Sequence, residues 1–249
     1  MNLSKARRQA ARLWARAARR ALLMLCFWPT SLLAGPQIVA AGFEQPTERY
    51  AHGVLGDTTE HGALRLELSD GTARLSVLPD ELVFEDTAPR LVDVDLDGAP
   101  EVIVVESHQE RGARLAVYDA QGRVATTSFI GTRFRWLAPI GAADFDGDGA
   151  VELAYIDRPH LARTLRLWRY RAGALMLVAD LPGFTNHRIG ERDIAGGVRV
   201  CKGVPEMIVA RADWSQIVSL RYRDGRFSSA EIGGDTSRAG FARALQCPE

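Results

Sequence analysis

The chain has 249 residues, 47% hydrophobic and 25% charged, with 31 basic and 31 acidic side chains. This is the mix of an ordinary globular protein, and 23 glycines with 11 prolines exclude a coiled coil, a long helical bundle or a collagen-like rod. The zero net charge conceals an asymmetry. Residues 1–41 hold seven basic residues and no acid, which leaves the remainder acidic by seven charges. Such a body disfavours nucleic acid as a partner, because neutralising phosphate needs a basic surface.

At the N-terminus, Lys5, Arg7, Arg8, Arg12, Arg16, Arg19 and Arg20 precede a mostly apolar run from Ala21 to Ala34, broken at Pro29 and followed by small residues. A basic region, an apolar region and a small-residue exit describe a secretory signal peptide, with cleavage after Ala34 or Ala41. The alternative is an uncleaved N-terminal membrane anchor helix, which Pro29, Pro36 and Gln37 weaken. Residues 1–41 are therefore read as signal or anchor and residues 42–249 as the working domain, periplasmic or secreted. Arg19-Arg20 fits a twin-arginine signal poorly. Cys26 falls inside the leader, leaving Cys201 and Cys247, an even count that suggests a disulfide in an oxidising compartment.

Beyond the leader the chain repeats. Leu66–Gly71, Val117–Gly122, Trp168–Gly173 and Leu220–Gly225 each alternate apolar and polar residues and end in a glycine turn, and a second alternating run follows each. The glycines are spaced 51, 51 and 52 residues apart. Glu101, Glu152 and Glu206, each opening a β-branched run, keep nearly the same period. A unit of this length containing four short strands (Val102–Glu106, Ala113–Tyr118, Arg123–Ser128 and Phe134–Ala142 in the second) is what a propeller blade looks like. The expected fold is all-β, a β-propeller of about four four-stranded blades, with an open or dimer-completed array as the alternative to a closed ring. The segment around Tyr50–Leu55 is expected as the first strand of the first unit. No sustained 3.6-residue periodicity follows the leader, so helices beyond short turns are not expected.

Two nine-residue stretches, Asp93–Glu101 and Asp144–Glu152, share the pattern D-x-D-x-D-G-x-x-E and lie 51 residues apart. Carboxylates on alternate residues and a glycine turn can wrap hard oxygen ligands around calcium, with a carbonyl at position seven and the glutamate at position nine. The candidate ligands are Asp93, Asp95, Asp97, Ala99 and Glu101 in one loop, and Asp144, Asp146, Asp148, Ala150 and Glu152 in the other. Magnesium demands a stricter octahedron, and the all-oxygen set does not suit transition metals. The position an EF-hand would reserve for its last glutamate holds Val104 or Tyr155, inside expected strands.

These loops, each entering a β-branched strand within a fifty-residue repeat, resemble the FG-GAP/VCBS repeats of integrin-type β-propellers. The resemblance covers the chain from about residue 48 onward and is most specific at 90–156. It implies calcium held by the ten residues just named and a binding or scaffold role without catalysis. Members often have seven blades, so four units depart from the pattern. The third copy departs further, placing Val198, Val200 and Lys202 where the aspartates belong. Lys202 is the expected substitute charge. Cys247 falls 22 residues after Gly225, as Asp93 and Asp144 do after their glycines, so a Cys201–Cys247 disulfide is expected to clamp the last blade in place of an ion.

Two polar clusters, Arg158-Pro159-His160-Leu161 and Thr185-Asn186-His187-Arg188, follow apolar strands. With Arg133, Arg135 and Trp136 they are candidates for a binding mouth that receives an anionic ligand, a glycan or a peptide, since arginine pairs with carboxylates and tryptophan stacks on sugars. The partner is expected to be a protein, peptide or glycan, and a membrane only if the leader stays attached. No nucleophile elbow, zinc-protease motif or phosphate loop is present. A hydrolase would have to use His160 or His187 with Asp157 or Glu191, and an enzyme is not expected.

Overall fold

All four glycine turns close antiparallel hairpins. The computed structural model describes residues 35–247. The hairpins are β2 (Glu60–Leu68) with β3 (Ala73–Val77), β7 (Gly112–Asp119) with β8 (Gly122–Thr126), β11 (Thr164–Arg171) with β12 (Ala174–Pro182), and β16 (Ile217–Arg223) with β17 (Arg226–Gly233). In the last two, Ala172-Gly173 (φ 50° and 76°) and Asp224-Gly225 (φ 51° and 72°) are left-handed throughout, the two-residue turn that matches strand twist.

The other strands are β1 (Ile38–Thr47), β4 (Leu82–Phe84), β5 (Arg90–Val92), β6 (Glu101–His108), β9 (Leu137–Ala143), β10 (Glu152–Asp157), β13 (Phe184–Thr185), β14 (Gly197–Cys201) and β15 (Val204–Arg211). They complete three four-layered units. In the second unit β4 and β5 lie in line along β6, followed by β7 and β8. The third runs β9-β10-β11-β12, so the strand expected over Phe134–Ala142 opens the third unit and does not end the second. In the fourth, β13 and β14 lie in line along β15, followed by β16 and β17.

The first unit differs from expectation. Its first strand is β1, paired with β2 from Ile38↔Leu68 to Thr47↔Glu60, and Tyr50–Leu55 forms turns. That segment packs across the structure instead of pairing: the Tyr50 ring is buried, its hydroxyl accepts from the Phe134 backbone N–H at 2.8 Å, and Val54 enters the core beside Trp136. The first unit thus has three strands. It joins the second through His61↔Phe84, giving one eight-stranded sheet. That sheet curls on itself, so that Leu64, Leu66 and Phe84 share a cluster with Val102, Val104 and Tyr118.

Alternation along three buried strands explains the stacking. On β6, Val102 and Val104 face the first unit, while Ile103 and Val105 meet Leu153 and Tyr155 of β10. The opposite face of β10, Ala154 and Ile156, meets Met207 and Val209 of β15. A strand apolar on both faces reads as a continuous run, as in Val102–Val105 and Leu153–Ile156, and needs a neighbour on each side. At Gly141 a Cβ would lie 2.7 Å from Val198 Cγ2, so the third and fourth units approach there only because the residue is glycine.

Among the described residues no further sheet covers the far face of β15. Ile208, Ala210 and Ile217 are covered by Phe241 and Ala244 of a helix, α1 (Arg238–Ala244), which corrects the expectation of an essentially helix-free body. Ser237 caps it by accepting from the Gly240 N–H at 3.2 Å. Seven residues are too few to announce themselves by periodicity; packing on β15 and β16 holds the helix. Among the described residues no strand of the last sheet pairs with the first. The architecture is an incomplete β-propeller, a stack of units covered at one end by the curled first sheet and at the other by α1. No helix among the described residues is long and apolar enough to cross a membrane.

Cys201, at the end of β14, bonds Cys247, just beyond α1, with Cα atoms 5.5 Å apart across 46 residues of chain. The disulfide pins the covering helix to the sheet it covers. A Cys201→Ser/Cys247→Ser variant loses a restraint worth about 4 kcal/mol for a loop of this length. We expect thermal melts followed by circular dichroism to show a midpoint roughly 10 °C lower; an unchanged midpoint would mean that α1 holds without the bridge.

Candidate metal centres

Each acidic loop connects the inner strand of a unit to its second strand. In the first, Asp93, Asp95 and Glu101 bring one carboxylate oxygen each to within 4.8 Å of one another, and Asp144, Asp146 and Glu152 do the same in the second. The backbone enforces this convergence through matching bonds. The buried glutamate turns back to accept from the second loop residue, Val94 N–H to Glu101 Oε2 at 2.8 Å and Phe145 N–H to Glu152 Oε2 at 2.9 Å. Asp93 and Asp144 accept from backbone N–H groups across the turn, at Gly98 and Gly149 among others. Asp97 and Asp148 accept from Ala99 and Ala150 N–H at 2.7 and 2.9 Å, which places those two alanines at the turn exit. Position four is left-handed in both, as Leu96 (φ 61°) and Gly147 (φ 81°).

Each loop leans on the next unit. A cavity of about 230 Å³ between the two loops is lined by Asp95 and Asp148 together with Tyr170 and Arg171 of the third unit. Arg223 of the fourth unit approaches Gly147 of the second loop. A cation in either loop would therefore stiffen a joint between units as well as a turn.

Among the described residues the first loop concentrates negative charge without a cationic partner. Burial, and then Asp95, Asp97 and Asp93, outweigh the bond from Val94 and push Glu101 up to about 7. The second loop is different. Arg169 bonds Glu152 Oε1 through Nε at 2.6 Å and Asp148 through Nη1 at 3.1 Å, and it also pairs with Asp146. Burial still leaves Glu152 raised. In the fourth unit both Glu206 oxygens are taken, by Arg199 Nε at 2.6 Å and Arg221 Nε at 2.5 Å. Burial would raise Glu206, but the two arginines bring it below the usual range. Arg199 also donates to the Ala244 carbonyl at 2.7 Å, joining the glutamate to the end of α1. The substitute cation is thus an arginine pair. Lys202, expected in that role, sits in the β14–β15 turn with φ 54°.

The sequence does not single out Arg169, Arg199 or Arg221. The signal that could have found all three is strand register: Glu152 pairs with Arg169, Glu206 pairs with Arg199, and Met207↔Leu220 sets Arg221 opposite Glu206.

The candidate binding-mouth residues do gather, around the segments that interrupt the inner strands. His160 Nε2 and His187 Nδ1 are 3.0 Å apart, and His187 Nε2 meets the Glu191 carbonyl at 2.8 Å. Trp136 stands edge-on to His187 and donates to the Glu85 carbonyl at 2.9 Å. Asn186 is buried and donates to the Ala138 and Pro139 carbonyls, while its Oδ1 has no partner. Arg158 pairs with Asp157, and Arg188 lies 3.6 Å over the Trp214 ring. Arg135, Trp136, Arg158 and His160 line a cavity of about 30 Å³, the size of a single water. Asp157 pairs with Arg158 and Arg166, not with His160. The buried acid–imidazole pair is instead His52 Nδ1 with Glu85 Oε1 at 2.5 Å, and Ser107 donates to the other Glu85 oxygen. These interlocked bonds form a polar seam between units, with Phe134 and Leu161 exposed at its edge.

Burial first, and then the neighbouring His187, lower His160 to about 4. A folded value below the unfolded one contributes stability that is present above about pH 6.5 and lost as pH falls toward 4. We expect His160→Gln to flatten the loss of thermal stability between pH 6.5 and 4, with imidazole NMR showing wild-type His160 neutral at pH 5.5. A charged His160 at pH 5.5 would contradict the buried pairing.

A family model described as FG-GAP-like repeat matches residues 93–155, from the first aspartate of the first loop into β10. No curated protein matches the chain.

Proposed function

We propose that this chain, whose residues 93–155 form an FG-GAP-like repeat, is an exported calcium-binding propeller module that serves as a non-catalytic binding or scaffold protein. The observation that carries the reading is the pair of identically built carboxylate triads, each with one buried glutamate and each set against the next unit. The donor set fits the ion. All ligating groups are hard oxygens, and Glu101 lies among three aspartates with no basic side chain of the described residues bonded to it. Asp93, Asp95, Asp97, the Ala99 carbonyl and Glu101 would hold one calcium; Asp144, Asp146, Asp148, the Ala150 carbonyl and Glu152 the other. Bound calcium supplies charge neutralisation and a rigid strand entry.

A structural role for the ion and recognition by loops agree with the packing. The His52–Glu85–Ser107 group holds a buried acid–imidazole pair, but its serine donates to the glutamate, so it gives no support to a nucleophilic mechanism. Recognition of a protein, peptide or glycan falls to the exposed rim of the seam, where Phe134 and Leu161 offer apolar surface and Arg133 stacks over Phe134. The disulfide agrees with an oxidising compartment. The leader lies outside the described residues. Cleavage after Ala34 would leave β1 whole, whereas cleavage after Ala41 would remove the strand's first pairs with β2. N-terminal sequencing of exported protein should therefore begin at Gly35; a chain beginning at Gly42 would contradict that choice.

Ligand linkage gives the test of calcium. Millimolar calcium should raise the unfolding midpoint of the wild-type protein above its value in chelator by roughly 5 °C or more. An Asp95→Ala/Asp146→Ala variant should lose most of that shift. Equal midpoints of the wild type in calcium and in chelator would overturn the reading.

A further inference from the structure

We propose that Arg169 is a tethered counter-ion of the second acidic loop that competes with calcium, so that the two loops are unequal. The first binds tightly, and the second fills only when the ion displaces the guanidinium. The inference rests on reading the loops as calcium sites.

Three units place an arginine, a second arginine and an aspartate opposite their equivalent buried glutamates. On β10 and β11 the pair is Glu152↔Arg169. On β15 and β16, Met207↔Leu220 puts Arg221 opposite Glu206. On β6 and β7, Val102↔Tyr118 puts Asp119 opposite Glu101. Asp119 turns away to accept from the Gln121 and Gly122 N–H groups at 2.7 and 2.8 Å, adding no positive charge. The series therefore runs from no arginine, through one, to the two that occupy both Glu206 oxygens.

Arg169 takes the groups an ion would need. Asp146 and Glu152 are two of the three carboxylates in the second triad, and the guanidinium bonds both, as well as Asp148. Calcium binds oxygen at about 2.3–2.6 Å, so an ion sharing those carboxylates would sit within a few ångströms of the guanidinium and be repelled by it. Arg169 must give up charge-assisted bonds, one of them to a buried carboxylate, before the site is free. Its side chain is mostly covered, which favours the bonded arrangement in the ion-free protein. Among the described residues the first loop has no such competitor, and its affinity for calcium should exceed that of the second by tenfold or more.

Calorimetric titration of calcium into the exported full-length protein tests this. Wild type should show a tight and a weak class, the tight one lost in Asp95→Ala and the weak one in Asp146→Ala. Arg169→Gln should tighten the weak class about tenfold and leave the tight class unchanged. The reciprocal change, Asp119→Arg, places an arginine opposite Glu101 and should weaken the tight class by a similar factor, which keeps the test available if Arg169→Gln does not fold. Two equal classes in wild type, or a second class unmoved or weakened by Arg169→Gln, would overturn the competition while sparing the calcium sites. Absence of any binding at millimolar calcium would overturn both.

Discussion

A carboxylate buried at the entrance to a strand is stable in its charged form only if positive charge or several N–H donors lie within bonding distance. Glu101, Glu152 and Glu206 occupy that place in three successive units, and all three are buried. Two of them are tied to the adjoining loop by a backbone N–H, so the charge cannot be moved without rebuilding the turn. The rest of the body is arranged around neutralising it. Among the described residues, Glu206 is neutralised by two arginines, Glu152 partly by one, and Glu101 by no basic side chain.

This series agrees with the way the stack is closed. The fourth unit, with arginines in place of the acidic loop, also carries the disulfide and the covering helix, and Arg199 links Glu206 to the helix's last turn. The units that keep their acidic loops are the interior ones, whose loops press on the following hairpin. An ion there would hold unit against unit. At the end of the stack the described residues offer no following sheet to press on, and covalent and ion-pair ties serve instead. The polar seam of Trp136, His160 and His187 joins units in yet another way, through directional bonds that fix the interrupted inner strands.

Much of this was legible in the residues. The glycine turns need left-handed backbone, so their period exposed the hairpins and hence the units; the carboxylate loops were visible from their own alternation. The cysteine pairing followed from position within the repeat. What escaped were features without local periodicity. β1 lies upstream of the expected strand because Tyr50 and Val54 are used for packing, and their apolar character reads the same in either role. Seven residues of α1 are too short to show a helical pattern. Arg169 was hidden by a small shift in the turns: counted back from the glycines it aligns with Tyr118, whereas strand pairing aligns it with Asp119. The seam residues were found as a group, but their burial depended on contacts between units that no single stretch displays.

On the proposed reading the first loop takes its counter-charge from a metal ion, the second exchanges Arg169 for one, and the fourth unit supplies its own. Crystals of the protein grown with calcium and exchanged with strontium would test it directly through anomalous scattering. The account predicts a strong peak among Asp93, Asp95 and Glu101, a weaker one among Asp144, Asp146 and Glu152 with Arg169 moved aside, and none at Glu206. No peak at the first loop, or a peak at Glu206, would contradict it.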